Sequence, residues 1–178
     1  MAEEKTRTRR PPKRKQVEGH ARSYFEALGQ RDVDAMVSHW SRDGVNDIVP
    51  LGVFRGPDEI KRFFSELFAA VPGLETTVTR VVADDKHAVV EWRLTGTFSG
   101  GSFQGIEPTG RRVDMRGLDV LEVQEEQIIS NTAYYDGADF ARQVGMLPPR
   151  DSGAERAITN TFNAVTRIRR AVNERMGS

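Results

Sequence analysis

Cysteine is absent from this sequence of 178 residues. That single absence excludes disulfides, thiolate nucleophiles and Cys-ligated metal sites together. No run approaches the roughly 18 consecutive apolar residues that a transmembrane helix needs. The N-terminus is charged but has no apolar segment behind it, so it does not read as a secretory leader. Serine-nucleophile motifs and phosphate-binding glycine loops are missing, and Gly100-Gly101 reads as turn chemistry. His20 and His39 fall on different helices and His87 opens a strand, so no histidine pair has the i, i+4 spacing of helical metal ligands. What is present is an ordinary soluble composition, 38% apolar and 29% charged, with a length that suits one domain. A cytoplasmic location fits these features.

The formal net charge of zero hides an asymmetry. Residues 1–15 hold seven basic side chains against Glu3 and Glu4, leaving 19 basic and 24 acidic residues elsewhere, a net of −5. A basic arm on an acidic body is not the footprint of a nucleic-acid-binding domain, whose folded surface is itself basic. With Pro11, Pro12 and almost no apolar residues, the arm over 1–16 cannot bury enough surface to order itself. It reads as a solvated tail, or as an arm that docks on a partner or on RNA.

Val17, Ala21, Tyr24, Phe25 and Leu28 recur at helical spacing. Asp32 is a good N-cap for a second helix striped by Val33, Met36, Val37 and Trp40. Two short extended pieces follow, broken at Pro50 and Gly52. Pro57, Asp58 and Glu59 then suit a helix start, and Ile60, Phe63, Phe64, Leu67 and Phe68 form its apolar face. Residues 75–83, 86–98, 111–123 and 127–136 are β-rich and separated by turn signals, as in an antiparallel meander. A short helix, ADFARQVG, ends the domain expected over 17–148. Helices early and strands late predict an α+β fold, a curved antiparallel sheet wrapped around the helices. Beyond it, 149–178 is an amphipathic appendage. Its stripe of Ile158, Phe162, Val165, Ile168, Val172 and Met176 predicts a helix that packs on the domain or on a second subunit. A membrane-surface helix fits less well, because the Trp and Lys of an interface are missing.

Asp119 is the most informative position. Strand alternation places it with Val113, Met115, Gly117, Leu121 and Val123 on one apolar face. Burial there disfavours the charged form, and a neutral carboxylic acid donates a hydrogen bond where a carboxylate does not. If the other face is the buried one, Asp119 is solvated instead. Asp47 is a candidate general base, or a common strand-end aspartate. Tyr24 faces the core with a phenol that needs a partner, as any buried tyrosine does. The same alternation turns Ala88, Val90, Trp92 and Leu94 inward beside Met115, Ala133 and Tyr135. Trp40, Phe64 and Phe68 supply an opposite wall, and Asp136 is the one carboxyl near the end of the last strand. Such an apolar pocket suits a flat, hydrophobic, carbonyl-bearing molecule.

YFEALGQRDVDAMVSHWSRDGVND, RGPDEIKRFFSEL, GLDVLEV and NTAYYDGADFARQVGMLP together resemble the SnoaL-like polyketide cyclases and their ester-cyclase-like relatives, over about residues 18–148. The resemblance implies the α+β cone of ketosteroid isomerase, which hosts many chemistries. It implies an oxyanion-hole tyrosine at Tyr24, a base at or near Asp47, and a protonated oxyanion-hole aspartate at Asp119. The acidic and basic residues of the related epoxide hydrolases are not matched, since Trp92, Leu94 and Ala133 stand there. Ala133 also stands where cyclases often carry an acid. The reaction implied is cofactor-independent isomerisation or aldol-type cyclisation through an enolate, by a homodimer acting on a polyketide- or steroid-like substrate. A non-catalytic binding or dimerisation module of the same fold is the alternative.

Overall fold

The computed structural model describes residues 13–176. The basic arm over 1–12 lies outside the described residues. Lys13–Lys15, expected in that arm, instead form the first turn of helix α1 (Lys13–Gln30). Its apolar face, Val17, Ala21, Tyr24, Phe25 and Leu28, is buried as the spacing requires. Asp32 caps α2 (Val33–Ser38), its side chain accepting from the Ala35 amide at 2.9 Å. The expected helical stripe stops short of Trp40. His39 closes the helix, and Trp40 opens strand β1 (Trp40–Ile48), paired with Ile128, so tertiary pairing overrides the helical spacing.

Strand β2 (Gly52–Arg55) returns antiparallel to β1, and α3 (Gly56–Ala70) follows with Pro57 in its first turn and Ile60, Phe63 and Phe64 buried. Strands β3 (Glu75–Ala83), β4 (His87–Thr97), β5 (Arg112–Gln124) and β6 (Gln127–Tyr135) form the meander. The six strands make one open sheet in the order β2-β1-β6-β5-β4-β3. One pairing departs from the antiparallel expectation: β1 runs parallel to β6. A parallel pair needs a long crossover, and most of the domain lies between these two strands.

Register shifts between Trp40 and Val45, Val78 and Arg80, and Glu122 and Val123 bend the strands. The curved sheet closes over α1, which packs on β3, and α3, which packs on β1. Ile60, Val90, Leu121 and Ile128 are fully buried between the layers, each contributing about 1.5–3 kcal/mol of hydrophobic stabilisation. Helix α4 (Gly137–Val144) is capped by Asp136 and ends at Gly145, whose φ of 90° is the left-handed C-cap that glycine adopts freely. Helix α5 (Gly153–Met176) completes the described chain. No described helix is long and apolar enough to cross a membrane.

Candidate active site

Between the inner face of the sheet and the helices lies a cavity of about 110 Å³. One water needs about 10–15 Å³, so the space admits a small organic molecule. Its wall is mostly apolar and carries six phenylalanines: Phe25 from α1, Phe63 and Phe64 from α3, Phe98 and Phe103 from the β4–β5 connection, and Phe140 from α4. Among the described residues, no lysine, arginine or histidine lines it, and Asp119 is its only carboxyl group.

Asp119 sits mid-way along β5, between Val90 on β4 and Ala133 on β6, and is 7% exposed. The Trp92 indole donates from Nε1 to its Oδ1 at 2.8 Å. The Asn131 amide donates from Nδ2 to its Oδ2 at 2.7 Å and to Asn46 Oδ1 at 3.0 Å. Four adjacent strands, β4, β5, β6 and β1, thus contribute one side chain each to a continuous polar chain. Gly117 makes the Trp92 contact possible. It is the cross-strand partner of Trp92, and an added Cβ would lie 2.4 Å from Trp92 Cζ2 and 2.5 Å from the Tyr134 carbonyl oxygen.

Two opposed forces set the protonation of Asp119. Burial raises its pKa to about 6, while the bonds from Trp92 and Asn131 hold it back from rising further. Both donors are neutral, and both serve the charged form. The group is therefore mostly a carboxylate at pH 7, and close enough to neutrality to take up a proton. Tyr135, two residues beyond Ala133 on β6, also lines the cavity, and burial pushes its phenol to about 12, so it remains a donor.

The structure gathers some of the sequence candidates and separates others. Phe64, Trp92, Met115, Asp119 and Tyr135 share the cavity wall. Asp47 does not join them. On β1 it is Asn46 and Ile48 that face inward and line the cavity, and alternation turns Asp47 to the outer face opposite Val53 and Thr132. Tyr24 is fully buried behind the wall, its hydroxyl without a hydrogen-bond partner, and edge-on to Trp40 with ring centroids 6.0 Å apart. Burial, and then the negative charge of Asp119, raise its pKa, so the phenol stays neutral. Trp40 belongs to this layer behind the cavity, and Phe68 stacks on the back of Phe64 at 6.1 Å. Asp136 is engaged as the α4 cap, accepting from the Asp139 amide at 2.9 Å. His20 and His39, distant in sequence, do meet, with ring nitrogens 3.4 Å apart.

Sequence reasoning missed Asn46 and Asn131. For Asn131 the signal was available: it shares the parity of Ala133 and Tyr135, both read as inward-facing. For Asn46 it was not, because both Val45 and Ile48 flank the Asn46-Asp47 pair and the parity of β1 is ambiguous from sequence.

An open curved sheet folded over helices around one apolar pocket defines a small α+β domain of the ketosteroid isomerase-like fold. The chain matches the SnoaL-like polyketide cyclase family over residues 18–144 and belongs to it. Solved structures agree on the fold. A SnoaL-like protein from Jannaschia sp. CCS1 superposes with a TM-score of 0.69 at 22% identity, covering 78% of this chain and 98% of its own. AclR from Streptomyces galilaeus does so at 0.67 and 19%, covering 87% and 97%. A protein of ketosteroid isomerase-like fold from Catenulispora acidiphila, solved with trimethylamine, does so at 0.61 and 17%, covering 73% and 97%. No curated protein shows significant sequence similarity.

Proposed function

We propose that this chain is a cofactor-independent acid/base enzyme acting next to a carbonyl of a small hydrophobic, polyketide- or steroid-like molecule, as a homodimer. The observation that carries the reading is Asp119, a carboxylate without a cation partner on the wall of an apolar cavity, with a pKa of about 6. Such a group is matched to proton transfer near neutral pH. A dimerisation module of the same fold does not need it.

In the proposed reaction Asp119 removes a proton from the carbon beside the carbonyl. The C–H electrons form the enolate, and the Tyr135 phenol donates to its oxygen. Protonated Asp119 then returns the proton. Delivered to a different carbon, it completes an isomerisation. Delivered to the alkoxide formed when the enolate carbon attacks a second carbonyl, it completes a cyclisation. This assigns Asp119 as base, in place of the neutral donor that the family resemblance implies, and Tyr135 as donor in place of Tyr24.

Fluorescent naphthols, whose ionised forms resemble an enolate, test the reading. For a naphthol acidic enough to stay ionised across the range, wild-type affinity is expected to rise as pH falls through about 6, when Asp119 becomes neutral beside the bound oxyanion. Asp119→Asn is expected to bind tightly at pH 7 already, and Tyr135→Phe to lose about 1–3 kcal/mol. Binding that is independent of pH and unchanged in both variants contradicts the reading.

A further inference from the structure

Asp119 enters the cavity wall with its charge unanswered. The two oxygens of an ionised carboxyl offer about four acceptor positions. Two are filled, Oδ1 by the Trp92 indole at 2.8 Å and Oδ2 by the Asn131 amide at 2.7 Å, and both donors are neutral. Two further oxygens of the wall are buried without a hydrogen-bond partner, Asn131 Oδ1 and Thr76 Oγ1. Among the described residues lining the cavity, Asn46 Nδ2 is the one buried N–H group left unpartnered. It suits an acceptor oxygen, but a bond to a charged group is roughly twice as strong as a neutral one.

Charge and size together decide what such a wall accepts. An anion is repelled by the carboxylate, and a neutral molecule leaves it unpaired. A compact organic cation pairs it, and the same cation is attracted to aromatic rings. Those rings are at hand: Phe63 packs edge-on to Phe64 with centroids 5.1 Å apart and tilts against Phe103 at 5.8 Å, and all three line the cavity. The space is about 110 Å³. A cavity of about 150 Å³ takes benzene, so an occupant of about five heavy atoms fits here.

We infer that the cavity binds small hydrophobic ammonium ions, which donate to the open side of Asp119 and to Asn131 Oδ1, and that they inhibit the proposed reaction. A seated ammonium occupies the lone pairs that a C–H proton would take and holds the carboxylate ionised. This occupant rests on the site of the proposed function and on its ionised Asp119, and not on the reaction assigned there. Its pH dependence is opposite in sign to that of a naphtholate. Protonation of Asp119 removes the partner, so affinity falls about tenfold for each pH unit below about 6. The Tyr24 and Tyr135 phenols stay neutral over this range. His39, edge-on to Tyr24 at 6.1 Å, and His20 beside it gain charge as pH falls. Their effect persists in Asp119→Asn, which separates it from that of the carboxyl group.

The test uses two probes matched in size and shape, tert-butylammonium, which stays protonated throughout, and neutral tert-butanol. Both are titrated by calorimetry into the full-length wild type and Asp119→Asn at pH 5, 6 and 7.5. At pH 7.5 wild type is expected to bind the ammonium at least tenfold more tightly than the alcohol. That preference is expected to shrink as pH falls through about 6 and to vanish in Asp119→Asn. The ammonium is also expected to displace a naphthol from wild type, and naphthol binding by Asp119→Asn shows that the variant is folded. Equal binding of the two probes, or a preference that survives in Asp119→Asn, overturns the inference. If the Asp119 carboxyl still titrates near 6, the proposed function is left standing. A carboxyl that remains protonated at pH 8, with no ammonium bound, overturns both.

Discussion

Asp119 is less stable where it sits than it would be in water, and that discomfort leaves a mark on folding. Its native pKa of about 6 stands above its ordinary 3.8. The native state therefore holds the proton more tightly than the unfolded chain, and its contribution is fully present only below about 3.8. It is lost as pH rises and gone above about 6, a difference of about 3 kcal/mol. His20 and His39 act with the opposite sign. Burial lowers both, so their contribution is present above the ordinary histidine pKa of 6.5 and lost as pH falls. Urea unfolding of wild type and Asp119→Asn at pH 5 and 7.5 separates the two. Wild type is expected to lose ground relative to the variant at the higher pH, and a difference that does not change with pH contradicts a raised pKa. Gly117 carries a second prediction at this scale. Gly117→Ala has no room beside Trp92 and the Tyr134 carbonyl, and overpacking of this kind costs about 1–3 kcal/mol. It is expected to turn the indole off Asp119, remove a bond that lowers its pKa, and move the pH dependence of naphthol binding upward.

At the scale of elements, α4 covers one side of the cavity through Phe140 and is held there by its ends. The Gln143 side chain donates to the Asp114 carbonyl at 3.0 Å and accepts from the Asp114 amide at 2.6 Å, like a strand partner. Asp136 caps its start. Asp136→Ala is expected to cost about 1 kcal/mol, the usual value of an N-cap, and to speed amide exchange in α4. Asp136→Ser keeps a capping oxygen and is expected to restore both stability and ligand affinity. Loss of ligand affinity in the serine variant would instead make Asp136 a substrate contact. The elements themselves were largely legible in the sequence because their signals are local: the cap at Asp32, Pro57 in the first turn of α3, and alternation along β5. What local signals could not carry was pairing at long range. Trp40 follows a helical stripe, yet its partner Ile128 lies on the far strand and draws it into β1. The pairing of Asn46 with Asn131 and of Asp47 with Thr132, beyond a register shift in β1, sets which of the two faces inward, and no local signal in the sequence carries it.

For the whole molecule, a sheet closed over helices encloses an apolar cavity, and the strands bring residues from β1, β4, β5 and β6 to the same carboxylate. Family membership establishes this architecture, and the proposed reaction depends on the charge state of one side chain inside it. Two accounts of Asp119 differ at that point. As a base it is ionised at neutral pH and titrates near 6, whereas a neutral oxyanion-hole donor keeps its proton well above 7. The most direct test is the pH titration of the Asp119 carboxyl carbon by NMR, assigned by difference from Asp119→Asn. A midpoint near 6, rising when a naphthol is bound, is the predicted result. A midpoint near 4 would return Asp119 to an ordinary solvated aspartate, and a carboxyl still protonated at pH 8 would contradict its assignment as the base.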